Sequence, residues 1–132
     1  MLMETDDKKI VDQMLDAAQK AGADGADVSF IRGHGLDVQV RLGKVESAER
    51  SEDYQVGMRV FVGQRSASVS TGQLDADNIT ELAQRAVSMA KIAPEDPFAR
   101  LANAEEQARD LPEIELFARN GLVVSMAIAA GL

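Results

Sequence analysis

The 132-residue sequence contains no cysteine and no tryptophan, and it has only one tyrosine and one histidine. Without cysteine, the chain can form no disulfide, no thiolate nucleophile and no cysteine-based zinc site. Aromatic residues make up 4% of the chain, so a surface that stacks nucleic-acid bases is disfavoured. We therefore expect a core of valine, leucine, isoleucine, methionine and alanine, and the lack of cysteine agrees with a cytoplasmic location.

The single histidine limits the metal and hydrolase chemistry that the chain can support. His34 is the only imidazole, so a metal site with two histidine ligands cannot form within one chain, and the motifs HExxH and HExxxH are absent. His34 lies between Gly33 and Gly35, in a segment that we interpret as an exposed turn between two strands. The two glycines do not continue as a dinucleotide-binding fingerprint, because Val38 stands where the third glycine would be. A small enzyme that uses His34 with a nearby serine or carboxylate is an open alternative.

Positive charge and long apolar runs are also scarce. Fourteen lysines and arginines against 22 acidic residues give a net charge of -8, whereas phosphate neutralisation requires a basic face. The longest apolar stretch, residues 121–132, is shorter than the roughly 18 residues of a membrane span. Glu4, Asp6 and Asp7 stand where a signal peptide would carry positive charge. These features predict a cytoplasmic protein that binds neither nucleic acid nor a membrane.

Two segments carry apolar residues at the spacing of a helix. The first runs from Thr5, its predicted cap, to Gly22, its predicted end. The second begins at Asp75, again a predicted cap, and ends before Pro94. The two apolar stripes are Ile10, Val11, Met14, Leu15, Ala18 and Ala21, and Ile79, Leu82, Ala83, Ala86, Val87 and Ala90.

Between these helices, apolar and polar residues alternate with the period of two that is typical of half-buried strands. The alternation predicts strands at residues 26–30, 36–42, 45–50, 54–62 and 65–71, with tight turns at Gly43-Lys44 and Gly63-Gln64. The predicted fold class is α+β, a two-layer sandwich in which an antiparallel sheet of about five strands carries two flanking helices on one face, in the order α-βββββ-α. The opposite sheet face is polar enough to meet water or a partner.

Two sets of polar side chains are predicted on that polar face. They are Ser66, Ser68 and Ser70 of the last strand, and Arg41, Arg59 and Arg65. We interpret both sets as solvated, with binding of acidic peptides by the arginines as the functional alternative.

Paired carboxylates do not converge on a site. Asp75 and Asp77 are explained by helix capping, and Glu46 and Glu49 alternate across a strand. We therefore predict no catalytic, cofactor-binding or metal-binding residue in this chain.

The sequence changes character after residue 93. Pro94 and Pro97 block continuation of the helix, and polar residues follow. We predict a domain over residues 1–93, a linker or docking segment over 94–117 and an apolar tail over 118–132.

An ordered series of short motifs resembles the N-terminal domain of the TldD/PmbA family, also called the modulator of DNA gyrase family, and more its PmbA (TldE) branch than TldD. The motifs are Gly22-Ala23-Asp24, Ala26-Asp27-Val28-Ser29, Val40-Arg41-Leu42-Gly43-Lys44-Val45-Glu46-Ser47, Gly57-Met58-Arg59-Val60-Phe61-Val62-Gly63, Ala67-Ser68-Val69-Ser70, Ala93-Pro94-Glu95-Asp96-Pro97-Phe98 and Asp110-Leu111-Pro112. The resemblance covers about residues 8–117. Family members are considerably longer, and residues 119–132 do not look like the family, so we expect a fragment or a truncated gene product.

The resemblance implies a two-subunit zinc metalloprotease system of the bacterial cytoplasm. TldD carries the HExxxH motif in this family, and PmbA/TldE is its partner without that motif. Members are associated with maturation of peptide antibiotics such as microcin B17, with degradation of the CcdA antitoxin and with modulation of gyrase inhibition. No catalytic residue carries over to this chain, because the metal ligands of the family lie beyond its N-terminal domain.

The predicted function is therefore a scaffold and association domain of a PmbA/TldE-like subunit, inactive alone. Zinc would reside in a TldD-type partner subunit. Self-association and contact with a peptide substrate are further expectations. The alternative is a non-enzymatic regulator that binds gyrase or an antitoxin through protein–protein contacts.

Overall fold

The computed structural model describes residues 5–110 and 112–114. Its elements, in chain order, are helix α1 (Thr5–Lys20), strands β1 (Gly25–Arg41), β2 (Lys44–Val62) and β3 (Arg65–Thr71), and helix α2 (Ala76–Ile92). The chain divides into two compact units. The first combines residues up to Arg32 with Tyr54–Glu106, and the second is Gly33–Asp53 with the described residues after Glu106.

Both predicted helices are present, and local signals explain where they end. After α1, Gly22 adopts a φ of 102°, which only glycine adopts without strain, and the amide of Ala23 donates to the carbonyl of Ala18 at 3.1 Å. The side chain of Asp75 caps α2, as predicted. Ala93 ends α2 in an extended conformation, which suits a residue that precedes proline. Helix α1 begins at Thr5 itself, and the predicted capping by the Thr5 side chain lies outside the described residues.

The sheet has three strands where five were predicted, in the order β1-β2-β3. The predicted strands at 26–30 and 36–42 are parts of β1, and those at 45–50 and 54–62 are parts of β2. The class α+β is confirmed, and the number of strands was wrong. The turn at Gly63-Gln64 is confirmed, with Val62 opposite Arg65. The first hairpin turns one residue earlier than predicted, at Leu42-Gly43.

The predicted turn around His34 was wrong for a physical reason. Gly33 and Gly35 stand inside β1 without a positive φ, so they do not reverse the chain. Across the hairpin, a Cβ added at Gly33 would lie 2.5 Å from Oδ1 of Asp53, and one at Gly35 would contact Oγ of Ser51. These glycines leave space for neighbouring side chains, which a sequence pattern does not distinguish from a turn.

The hydrophobic core lies in the first unit, between the two helices and one sheet face. Helix α1 contributes Met14 and Ala18, and β2 contributes Val56, Met58 and Val60, all at most 1% exposed. The stripe predicted on α2 is the buried set observed there. These β2 residues alternate with Gln55 and Arg59, which are exposed, and with Gly57, which is half-buried. The helices therefore cover one face of the sheet and leave the middle of the other open.

Within the described part of the chain, no helix is long and apolar enough to cross a membrane.

The segment after α2 returns to the sheet of the first unit. The amide of Asp96 donates to the carbonyl of Gln64 at 2.7 Å, and Arg65 donates to the side chain of Glu95 at 3.3 Å. The predicted boundary at residue 93 and the linker or docking role of 94–117 stay predictions, and the predicted tail at 118–132 lies outside the described residues.

Candidate functional site

The sheet of the first unit presents a face that neither helix covers, which we call the open face. A shallow groove of about 430 Å³ lies there over the middle of β2. Its lining consists of Asp27, Ser29, Gly57, Met58, Arg59, Ser68, Val69 and Ser70. Gly57 leaves bare backbone at the floor, because a Cβ at this position would stand 3.0 Å from Oγ of Ser29. The groove therefore exists because β2 carries glycine where its neighbours carry side chains.

An ion pair closes one end of the groove. Arg59 donates from Nε to Oδ2 of Asp27 at 3.1 Å, and its Nη2 contacts the same oxygen. The guanidinium also lies over the ring of Phe61, 5.1 Å from its centroid. Arg59 is on the open face, as predicted, and it is already engaged on two sides. It therefore serves as a wall of the groove rather than as a free anion-binding group.

Hydroxyl groups line the β3 side of the open face. Ser66, Ser68 and Ser70 alternate along the strand, opposite Phe61, Arg59 and Gly57 of β2 respectively. Ser68 and Ser70 are exposed. Each hydroxyl can both donate and accept a hydrogen bond, which matches the polar groups of a peptide backbone.

Strand β3 is an edge strand of the described sheet, so one side of its backbone has no strand partner there. A two-residue turn is closed by a hydrogen-bonded pair, here Val62 and Arg65, and such pairs alternate along an antiparallel ladder. The remaining residues of β3, including Ser68, therefore direct their amide and carbonyl groups outward. The three serines thus present side chains on the open face and backbone groups at the free edge.

Leu101 covers the far end of the open face. A Cβ at Gly25 would lie 3.3 Å from Cδ1 of Leu101 and 3.9 Å from Cδ2 of Phe61, and this packing leaves Phe61 only 5% exposed. Arg100, which precedes Leu101, donates to both carboxylate oxygens of Glu106 at 2.7 and 2.8 Å. These bonds, with a further one from the Asn103 amide, lower the pKa of Glu106 to about 2.

The other predicted candidates do not join this site. His34 is exposed in β1, and within the described residues it has no hydrogen-bond or ion-pair partner, so no serine or carboxylate activates it. The prediction that Arg65 lies on the polar face was wrong. Arg65 points to the same side of β3 as Ala67. It donates to the carbonyl of Lys91 in α2 at 2.6 Å and to Glu95 at 3.3 Å. Arg41 and Glu46 pair with each other at 3.4 Å.

Of the two carboxylates attributed to helix capping, Asp75 acts as the cap. Asp75 accepts from the amide of Asn78 at 3.1 Å, and Asp77 lies in the first turn of α2. Glu49 is exposed on β2.

Sequence reasoning missed an ion pair between α1 and β1. Asp7 is 8% exposed and accepts from Nη2 of Arg32 at 2.6 Å. Arg32 lies over the ring of Phe30, which stacks on Tyr54. The only available signal was an acidic residue on the apolar side of the predicted helix, since the two partners are 25 positions apart.

The donor set for a metal ion is not present in the described part of the chain. Residues 5–110 and 112–114 bring together no group of three histidine, aspartate or glutamate side chains that could hold a metal. The zinc that the resemblance assigns to a TldD-type partner subunit therefore has no donor set among these residues.

By its fold, the first unit is an α+β module in which two helices pack on one face of an antiparallel sheet and the other face stays open. Residues 26–90 match the family described as PmbA/TldA metallopeptidase domain 1. The chain is 32% identical over 110 residues to a metalloprotease PmbA homolog of Haemophilus influenzae, and 31% identical over 113 residues to metalloprotease PmbA of Escherichia coli O157:H7. Each alignment covers 83% of this chain, but only 24% and 25% of the two relatives.

Solved structures share the fold. A candidate modulator of DNA gyrase from Bacteroides thetaiotaomicron superposes with a TM-score of 0.80 at 17% identity, covering 97% of this chain and 30% of that one. TldE from Thermococcus kodakarensis gives a TM-score of 0.65 at 15% identity, covering 91% of this chain and 28% of that one. At these identities the likeness establishes the fold.

These matches confirm the resemblance carried by the sequence motifs. The chain belongs to the PmbA/TldD metallopeptidase family and corresponds to the N-terminal domain of its members. It spans about a quarter of the length of the curated relatives it matches.

Proposed function

We propose that this chain is the N-terminal association domain of a PmbA/TldE-type subunit, and that it contributes position rather than catalysis to a two-subunit zinc metalloprotease. A TldD-type partner subunit supplies the zinc and the hydrolytic chemistry. The domain helps to hold an extended polypeptide beside that partner, in peptide maturation and proteolysis in the cytoplasm.

The observation that carries this proposal is the free edge of β3 next to the open face. An extended peptide placed beside β3 finds outward amide and carbonyl groups at Ser66, Ser68 and Ser70, in the spacing of a strand. Because these groups are alternate residues of one strand, they match the repeat of an added antiparallel or parallel strand. The backbone of the substrate is thereby recognised without dependence on its sequence.

The groove adds room for side chains beside that edge. Gly57 of β2 lies opposite Ser70 of the edge strand β3, so the floor of the groove is formed by β2, one strand away from the edge. Its walls are hydroxyls and one internally paired arginine, and neither imposes a net charge on the occupant. This surface suits peptides of varied composition. The alternative of a regulator that binds gyrase or an antitoxin through charge gains no support from it.

The test mixes the purified full chain with a TldD-type subunit whose own hydrolysis of casein or an unstructured peptide has been recorded. We expect no zinc and no hydrolysis from the chain alone, and co-migration and a changed rate in the mixture. Ser68→Pro removes one outward amide without breaking the β2–β3 ladder, and we expect it to weaken the effect about five- to tenfold.

Ser68→Ala is the matched control, because it removes the hydroxyl and keeps the amide. We expect this variant to weaken the effect by at most about twofold, because it loses one hydroxyl of the groove but keeps the edge amide. Both variants should stay folded, with melting temperatures close to that of the parent chain. Stoichiometric zinc with hydrolysis in the isolated chain would contradict the proposal, as would a mixture whose rate and elution equal those of the separate components.

A further inference from the structure

The second unit contains a strand edge that the proposed function does not use. In the order β1-β2-β3, β1 is the other edge strand of the described sheet, and residues 33–41 of it belong to the second unit. Proteins commonly protect such edges with proline, lysine or a bulge. Residues 33–41 contain neither proline nor lysine. This edge is therefore chemically open to pairing with another strand.

Residues 36–41 have two contrasting faces. Leu36, Val38 and Val40 share one face, and Leu36 is 50% exposed. The other face carries an acidic residue, Asp37, and a basic residue, Arg41, four positions apart. Apolar side chains in the middle of an exposed edge gain from a partner strand that presents the same kind of face.

We propose that this edge of β1 pairs antiparallel with the same edge of a second copy of the chain, around a two-fold axis at Val38. In that register, Leu36 of one copy lies opposite Val40 of the other, and Val38 lies opposite its own equivalent. The apolar faces of the two strands thereby coincide over their whole length. A two-fold axis is the usual symmetry of such self-complementary contacts.

Charge complementarity supports the second copy as the occupant. With Val38 on the axis, Asp37 of each copy lies diagonal to Arg41 of the other, within reach of a long side chain. Arg41 itself stands opposite Gly35, which has no side chain to obstruct it. Its present partner is Glu46 of its own hairpin, in an exposed pair with an N–O distance of 3.4 Å. Such an exposed pair costs little to exchange.

Neighbouring registers are less favourable. An axis at Asp37 places two carboxylates directly opposite each other, which is destabilising. An axis at Leu36 sets Val38 against His34. An axis at Gln39 sets Asp37 directly opposite Arg41, but it pairs Leu36 with Leu42 of the turn, so the ladder pairs fewer residues. The axes at Val38 and Gln39 both bring Asp37 of one copy to Arg41 of the other, and the axis at Val38 pairs the longer stretch of strand.

The test measures dimerisation of the full chain by sedimentation equilibrium. Asp37→Arg and Arg41→Asp each leave only like charges across the axis, and we expect each to raise the dimer dissociation constant about tenfold or more. In a heterodimer of these two variants, the side chain at position 37 of each copy again meets an opposite charge at position 41 of the other. We therefore expect the mixture to associate as tightly as the parent chain. The double variant carries the exchanged pair within one chain, and it should also dimerise.

Glu49→Arg is the matched control, since it makes the same charge change on β2 of the same hairpin, away from the free edge. We expect it to leave the dissociation constant within about twofold of the parent value. A chain that stays monomeric at every concentration overturns the proposal, and so does dimerisation that the single variants leave unchanged. Neither result bears on the test of the proposed function, which uses β3 and a TldD-type subunit.

Discussion

Asp75 shows how much one side chain at a helix start determines. Its carboxylate accepts the Asn78 amide at 3.1 Å, and the Asn78 side chain donates to it as well. These hydrogen bonds, the backbone one first, lower the pKa of Asp75 below its ordinary value of 3.8. A carboxyl group with a lowered pKa in the folded chain stabilises that chain above its unfolded-state pKa. The stabilisation is lost as the pH falls through the folded-state pKa.

We expect Asp75→Ala to lower the thermal midpoint by about 5 °C near neutral pH, because the first turn of α2 loses its acceptor. The difference from the parent chain should shrink as the pH falls below about 4. Circular dichroism melts over this pH range provide the measurement. Asp75→Asn is the control, since its amide oxygen caps without titrating. Equal midpoints for the parent chain and Asp75→Ala at neutral pH would show that the cap contributes no stability.

Only some residues of the candidate site could be predicted from the sequence. The alternation of β3 correctly put three serines on one face. It also contained the information that Arg65 points the other way, which the prediction overlooked. The Asp7–Arg32 pair joins residues 25 positions apart, and no local pattern specifies such a distance. Gly57 forms a groove only because Ser29 and Ser70 flank it on other strands, so the groove depends on strand register.

The turn between β1 and β2 is the element whose sequence fits its geometry least. Leu42 and Gly43 have φ values of 51° and 75°. Two positive φ values in a two-residue turn favour Asn-Gly, because a bulky side chain is strained in that conformation. Leu42 is also 96% exposed, so burial of its side chain offsets little of the conformational strain. The leucine therefore destabilises the hairpin of the isolated chain.

We expect Leu42→Asn to stabilise the hairpin by about 1 kcal/mol, because asparagine tolerates the left-handed conformation. Amide hydrogen exchange of the residues flanking the turn is the measurement. Leu42→Ala is the control, since it also removes the apolar side chain but lacks the short polar side chain with which asparagine stabilises the left-handed conformation. Equal protection in the two variants would mean that the gain has another source than backbone conformation.

Element boundaries were predictable where a local chemical signal exists. Asp75, Pro94 and Gly22 mark the helix ends, and the apolar stripe of α2 is the buried set. Strand boundaries were less predictable, because glycine serves both turns and crowded strand positions. Gly43 and Gly63 reverse the chain with positive φ, whereas Gly33 and Gly35 stand inside β1. Only the side chains across the hairpin distinguish the two uses.

For the molecule as a whole, burial is uneven between the two units. Every buried hydrophobic side chain of the described residues belongs to the first unit, and the hairpin Gly33–Asp53 contains none. Backbone hydrogen bonds that no core protects open more easily than those inside one. The stability of the fold is therefore carried by the helices and the three strand segments that they cover.

We expect this asymmetry in amide hydrogen exchange of the dilute chain. Amides of Met58, Val60 and Leu82 should exchange slowest, and those of residues 36–51 about 100-fold faster. Low concentration keeps the proposed pairing of β1 from protecting the hairpin. Raising the concentration serves as the comparison, and protection should then increase in residues 36–40. Uniform protection across both units at low concentration would contradict the account of where stability resides.

The absence of buried side chains from the hairpin also has an evolutionary consequence. Substitutions between residues 33 and 53 are not constrained by packing in the core, so this stretch can diverge while the fold persists. Selection can then change the exposed side chains of the hairpin to suit a particular binding partner. Under the proposed pairing of β1, two duplicated copies of such a gene can acquire separate partners by exchanging charges at positions 37 and 41, without any compensating change elsewhere.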